Sequence, residues 1–152
     1  MARKWLWPIV ALLTLAVDQI TKAWLFKASD PASGAFAFSK IIQLTRYENH
    51  GIALSLPLPT LLTLVLTGLF IAAIVYVGLK KSPTDKILAI ALGLLVGGAL
   101  GNFVDRLWLG FVRDWLLLFE RSAINFADIA VLVGIAFLLF FSSSPKASTE
   151  SD

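Results

Sequence analysis

The chain has no cysteine and a single histidine, His50, and only 15% of its 152 residues are charged. Without thiols there are no disulfides, no thiolate nucleophile and no Cys-based metal site, and one imidazole cannot build a His cluster. The formal charge is only +3 and no dense Lys/Arg block occurs, so nucleic-acid binding has no electrostatic footprint. Chemistry falls to carboxylates, hydroxyls, amides, Lys and Arg, and neither a metal nor an organic cofactor is expected.

What the chain does have is apolar length. It is 58% hydrophobic with a mean hydropathy of +0.82, outside the range of soluble domains. Four apolar segments, about 5–26, 59–79, 86–104 and 124–141, approach the roughly 20 residues a helix needs to cross the hydrocarbon. The expected fold is an all-α membrane protein of four transmembrane helices over residues 1–142, followed by a disordered, Ser-rich cytoplasmic tail over 143–152. The first span carries Asp18 and Lys22 and no small-residue cleavage site follows promptly, so it is read as an uncleaved helix and not as a signal peptide. No internal repeat is visible, which argues against transporters built from duplicated halves.

Basic residues set the orientation. Arg3 and Lys4 precede the first span, and Lys80, Lys81 and Lys86 crowd the connection "KKSPTDK", which places both termini in the cytoplasm. The long connections 27–58 and 105–123 then face outside. Trp5, Trp7, Trp24, Trp108 and Trp115 fall near span ends, as an interfacial belt would have them. Alternation near 36–46 predicts short strands and hence a small extracytoplasmic β platform. Segment 106–123 is expected to be partly helical and mobile.

Polar groups in or beside the spans ask for a reason, because each is costly there. Asp18 and Lys22 in "VDQITK" stand four apart on one helix face, in the outer half of the bilayer. They are either an ion pair with Lys22 snorkelling outward or groups facing a site. "ENHGIALS" offers Asn49, Gly51 and Ser55, an ordinary Asn-x-Gly turn or a substrate-contacting loop. Gly93, Gly97 and Gly101 form a small-residue stripe for close helix packing. Beyond it Asn102, Asp105 and Arg106 gather on one side of the helix end, as a structural Asp105–Arg106 lock or as direct chemistry. In "INFADIAVLVG", Asn125 suits an N-cap and Asp128 the third helical position.

Topology changes the weight of these signals. Asp105, Asp114 and Asp128 are confined to one depth of the outer leaflet, close enough in sequence for two to converge. Two desolvated carboxylates held together cannot both ionise cheaply, so they share a proton, the acid–base arrangement of aspartic proteases. Which two pair is left open by spacing alone: Asp105 with Asp128, or Asp114 with Asp128.

Five segments, "VDQITK", "ENHGIALS", "GGALGNFVDR", "GFVRDW" and "NFAD", resemble in that order the motifs of the lipoprotein signal peptidases, or signal peptidase II family. The resemblance runs from Asp18 to Asp128 and departs at Leu54 and Trp115, where Phe is usual. It implies a bacterial inner-membrane aspartyl endopeptidase, multi-pass, with its active site at the outer face. Such an enzyme removes the signal peptide of a prolipoprotein just before a diacylglyceryl-modified cysteine and is inhibited by globomycin-type cyclic peptides. The catalytic pair carries over to Asp114 and Asp128, and Asp18, Lys22, Asn49, Asn102, Asp105, Arg106 and Asn125 to supporting or substrate-binding positions. A monomer is expected, with membrane lipid and the lipidated precursor as its partners. The rival from another class is a small proton- or ion-conducting subunit, but a relay should continue toward the cytoplasm, where the inner halves of the spans have no acid. A non-catalytic assembly protein would not need acids gathered at one outer point.

Overall fold

The computed structural model describes residues 5–29, 41–51, 58–81 and 85–141. The elements run α1 (Leu6–Ala28), β1 (Ile42–Asn49), α2 (Thr60–Lys81), α3 (Lys86–Leu109), β2 (Val112–Leu118), β3 (Ser122–Ile124) and α4 (Phe126–Phe141). The first three helices are long and apolar enough to span a membrane, and α4 is apolar over 16 residues. At about 1.5 Å per residue α4 reaches roughly 24 Å, and the chain beyond Phe141, with the expected tail, lies outside the described residues.

Local chemistry fixes the helix ends. Pro8 sits in the first turn of α1, where its missing N–H costs nothing. Asp85 caps α3, its Oδ1 accepting from Ile87 N at 2.9 Å. Gly110 ends α3 with φ 81° and donates its N–H to Arg106 O at 3.1 Å, a left-handed cap that favours glycine.

Helix α3 is the centre of the bundle, packed on α1, α2 and α4. Side chains leave little room on it: a Cβ at Gly97 would stand 2.5 Å from Ala11 O and 2.6 Å from Thr14 Cβ, and one at Gly101 would strike the Asp18 carboxylate. The glycine stripe thus lets α1 lie backbone-close on α3. Gly97→Ala is therefore expected to lower stability by about 1–3 kcal/mol, because Ala11 O belongs to a helix backbone that cannot turn aside. Thermal unfolding in detergent checks this; an unchanged midpoint would show that the helices separate freely.

Large apolar side chains cover the outside, including Leu61, Leu69, Leu139 and Phe140. That surface suits hydrocarbon and not water. Trp5, Trp24 and Trp108 are exposed near helix ends, as expected of a belt, whereas Trp7 is buried in the core with Ala11, Leu92 and Val96. Trp115 is half-buried and lies on β2.

The expected platform is a three-stranded antiparallel sheet of order β1-β2-β3. Its first strand covers 42–49, later than the expected 36–46; residues 36–40 lie outside the described part. The stretch 106–123, expected to be partly helical, is helical only at its start, where α3 runs on to Leu109; the rest forms a β2–β3 hairpin. Its turn residues Phe119 (φ 53°) and Glu120 (φ 54°) both have positive φ, the geometry of primed hairpin turns. Neither is the Gly or Asn that would announce such a turn, so the hairpin left no turn signal in the sequence. A register irregularity between Leu44 and Tyr47 sets Tyr47 opposite Asp114 and Asn49 opposite Val112.

Candidate active site

Two connected layers of polar side chains occupy the junction of α1, α3, α4 and the sheet. The deeper one is a charge network. Lys22 Nζ lies 2.8 Å from Asp18 Oδ2 and 3.3 Å from Asp105 Oδ2, with all three side chains fully buried. Arg113 closes the other side of Asp105: its Nη2 is 2.7 Å from Oδ1, and its backbone N is 3.0 Å and its Nε 3.3 Å from Oδ2. Gln19 ties both carboxylates together, donating to Asp18 Oδ2 at 3.1 Å and Asp105 Oδ1 at 3.3 Å while accepting from Arg113 Nη2 at 2.8 Å. Two acids face two bases, so the layer is formally neutral, the condition under which buried charge is tolerable. Asp18 Oδ1 also accepts from Ala127 N at 2.9 Å, meeting a free donor in the first turn of α4.

This geometry decides two readings that the sequence left open, and the Asp18–Lys22 ion pair forms. Lys22 does not snorkel outward: it is wholly buried and its third contact, 2.9 Å to Asn102 Oδ1, points into the site. Nor does Asp105 lock to Arg106. Its partners are Lys22 and Arg113, while Arg106 donates to Gly51 O at 2.7 Å and to Asn102 O at 3.4 Å. A helix neighbour at i+1 points to another face, which leaves Asp105 to the strand that folds back beneath it.

The second layer holds the remaining two acids among three amides. Asn125 is the hub. Its Nδ2 donates to Asp114 Oδ1 at 2.6 Å and to Asn102 Oδ1 at 3.1 Å, and its Oδ1 accepts from Asp128 N at 3.1 Å. Asp128 Oδ2 accepts from Asn125 N at 3.2 Å, a reciprocal cap on α4, and its Oδ1 accepts from Asn102 Nδ2 at 2.8 Å. Capping and site thus use the same two residues. Asn49 Nδ2 donates to Asp114 Oδ2 at 2.9 Å, and Asn49 Oδ1 accepts from Gly51 N at 3.0 Å, so the Asn-x-Gly turn exists and aims its amide at an acid. Ser55 and Leu54 lie outside the described residues.

Asp114 and Asp128 therefore share Asn125, whereas Asp105 is held in the ion network. Asp114, fully buried on β2, has its carboxyl pushed up from 3.8 to about 7: burial is the main cause and the negative charge of Asp128 adds to it, against the hydrogen bonds from Asn49 and Asn125 and the charge of Lys22. One proton held beside a second carboxylate is what general acid–base catalysis requires. Arg106 lines the same cavity as Asp128 and brings a positive charge to that side of the acids.

A cavity of about 600 Å³ opens on this layer between α2, α4 and the hairpin. Asn49, Asn102, Arg106 and Asp128 form its polar end, and Val131 and Leu132 on α4 with Leu118 and Ile124 on the sheet form apolar walls. Thr63 and Thr67, four apart on α2, also face it. Among the described residues no three of His, Asp or Glu group closely enough to hold a metal ion.

Gln19, Arg113 and the two threonines escaped sequence reasoning. Arg113 becomes legible only once 112–118 is read as a strand, since alternation then sends Arg113 and Asp114 to opposite faces. Trp115, at one of the two departures from the family pattern, keeps apolar bulk but adds a buried Nε1 that has no hydrogen-bond partner among the described residues.

Apolar helices around a buried, charge-balanced polar centre, with two further carboxylates joined through Asn125, define a multi-pass membrane protein with a polar site at one end of its bundle. Residues 10–143 match the family model described as signal peptidase (SPase) II, and the chain belongs to that family of aspartic peptidases, which act on lipoprotein signal peptides in membranes. Two solved structures share the fold, both described as bacterial membrane enzymes determined by the in meso method. The one at 2.3 Å has a TM-score of 0.79 at 24% identity, covering 95% of this chain and 93% of its own. The other, at 1.9 Å, has a TM-score of 0.72 at 26% identity, covering 89% and 92%.

Proposed function

We propose that the chain is a signal peptidase II that cuts a diacylglyceryl-modified prolipoprotein immediately before its lipid-bearing cysteine, with Asp114 and Asp128 as the catalytic pair. The observation that carries this reading is the bridge through Asn125: its side-chain amide donates to the Asp114 carboxylate and its backbone N–H to the Asp128 carboxylate, and burial pushes the Asp114 carboxyl up to about 7. Asp128, at the cavity wall, takes a proton from water as the water oxygen attacks the scissile carbonyl carbon. Asp114, protonated, hydrogen-bonds the carbonyl oxygen as it gains negative charge, and Arg106 offsets that charge. Collapse of the tetrahedral intermediate breaks the C–N bond, and a carboxyl proton passes to the departing amine of the cysteine. Asn49, Asn102 and Asn125 hold the pair, and Asp18, Lys22 and Asp105 hold the elements that carry it.

The dyad lies where α3 ends and α4 begins, at the opposite end of the bundle from Lys80 and Lys86. With those lysines in the cytoplasm, both termini are inside and the site meets the outer leaflet of a bacterial inner membrane. There a lipid-anchored precursor presents the junction between its signal helix and its acylated cysteine. The enzyme acts as a monomer, without a cofactor.

Incubating the purified protein in detergent with a diacylglyceryl-modified precursor should give one shortened product whose new N-terminus is the lipidated cysteine, and a globomycin-type cyclic peptide should block it. No cleavage, or cleavage elsewhere, rejects the assignment. The rate should also fall above about pH 7, roughly tenfold per unit. Asp114 is protonated below its raised pKa and loses the shared proton above it. A profile flat from pH 6 to 9 would mean that no such proton is used.

A further inference from the structure

Of the three strands, β3 has the most unusual setting. The sheet order makes it an edge strand, paired to β2 through Leu116–Ile124, Leu117–Ala123 and Leu118–Ser122. Among the described residues no strand lies along its other side. Ser122, Ala123 and Ile124 all line the cavity. Successive strand residues point to opposite faces, so a cavity resting on one face would meet only alternate residues. One that meets all three in a row reaches the backbone edge as well as the face, where Val112 and Leu118 of β2 also line it. The other edge strand, β1, reaches the cavity only through Asn49.

A signal peptide enters this site with a difficulty of its own. In a helix its scissile carbonyl is engaged and shielded, so cleavage needs an extended stretch. Unwinding in an apolar setting frees N–H and C=O groups that lipid cannot satisfy. The free edge of β3 offers such partners at the spacing of one added strand, about 4.8 Å, and strand addition is an established mode of peptide capture. We propose that the residues just upstream of the cleavage point add to β3 as a fourth strand, with alternate side chains turned to the apolar wall and toward α2. This rests on the peptidase reading above and names how its substrate is held. Ile124 is followed directly by Asn125, with Asp128 three residues further on, so a peptide aligned on β3 arrives in register with the dyad. At about 3.3 Å per residue, β3 grips roughly three residues.

The test uses the intact enzyme and precursors in which single backbone amides upstream of the cleavage point are replaced by esters, which removes one N–H without adding bulk. Strand addition predicts that KM rises roughly tenfold at alternate positions and little between them, with kcat less affected. A uniform effect, or one repeating every three to four residues, overturns the proposal. A second measurement separates it from the chemistry. The chain has no cysteine, so Ala123→Cys introduces a lone thiol that can be cross-linked to a thiol walked along the signal peptide. Cross-linking should peak at alternate positions, including in Asp114→Asn protein; equal yields at all positions, or none, refute it. Failure of the unmodified precursor to be cut rejects the peptidase reading instead, independently of either pattern.

Discussion

Asp114→Asn and Asp128→Asn should each lower the rate of precursor cleavage by about 10³-fold or more while leaving the protein folded. On the proposed mechanism each replacement removes one half of a shared-proton pair: the amide at 114 cannot lend a proton to the leaving amine, and the amide at 128 cannot take one from water. Because the two act as a unit, the double variant should be little worse than either single one. Asp105→Asn offers the contrast. Its carboxylate faces Lys22, Arg113 and Gln19, so its loss should appear first as lower thermal stability, and activity per folded molecule should fall much less. If Asp105→Asn were the silent enzyme and Asp114→Asn an active one, the pair would have to be reassigned to Asp105 and Asp128.

The same substitution carries a stability signature. An acid whose pKa is raised by the fold favours the native state below its unfolded value and loses that contribution as pH rises through the folded one. For Asp114 the window runs from 3.8 to about 7, and for a side chain with no exposure the linked change is on the order of 4 kcal/mol. Asparagine at 114 has no proton to lose, so the decline in stability between pH 4 and 7 should flatten. Unfolding midpoints of both proteins across that range measure it, and parallel curves would mean that Asp114 titrates normally.

Much of this site could be read from the chain because membrane physics amplifies polar residues. A carboxylate in an apolar run demands a partner, and Asp18, Asp105 and Asp128 declared themselves in that way. Helix existence was equally plain, since length and hydropathy decide it. What stayed hidden was pairing across elements. Asp105 and Arg106 are neighbours in sequence, yet Asp105 turns to Arg113, eight residues on, because the chain reverses at Gly110 and runs back as a strand. That reversal is marked by one glycine, and the next, at Phe119 and Glu120, by none. Segment 112–118 alternates poorly because Asp114 is buried among apolar residues, so a pattern rule that expects charge outside misreads it. The choice between Asp105 and Asp114 depended on that hairpin, and spacing alone could not make it.

Lys22→Met should be the most destabilising single change in the deeper layer, costing about 3–5 kcal/mol. The ammonium contacts Asp18, Asp105 and Asn102 at once. Its removal leaves two negative charges in a dry interior, with Arg113 able to answer only Asp105. Asp18 would keep Ala127 N and Gln19 as donors, which is too little for a full charge. The remedy follows from the same accounting of charge: Asp18→Asn added to Lys22→Met removes the orphaned anion, and asparagine Oδ1 can still accept from Ala127 N. The double variant should therefore be more stable than Lys22→Met alone, an interaction between neighbours that a double-mutant cycle measures directly. Activity should not return with stability, because Lys22 also holds Asn102, and Asn102 holds Asp128. A double variant as unstable as the single one would show that Lys22 stabilises through Asn102 alone, and one fully active would remove Lys22 from the support of the dyad.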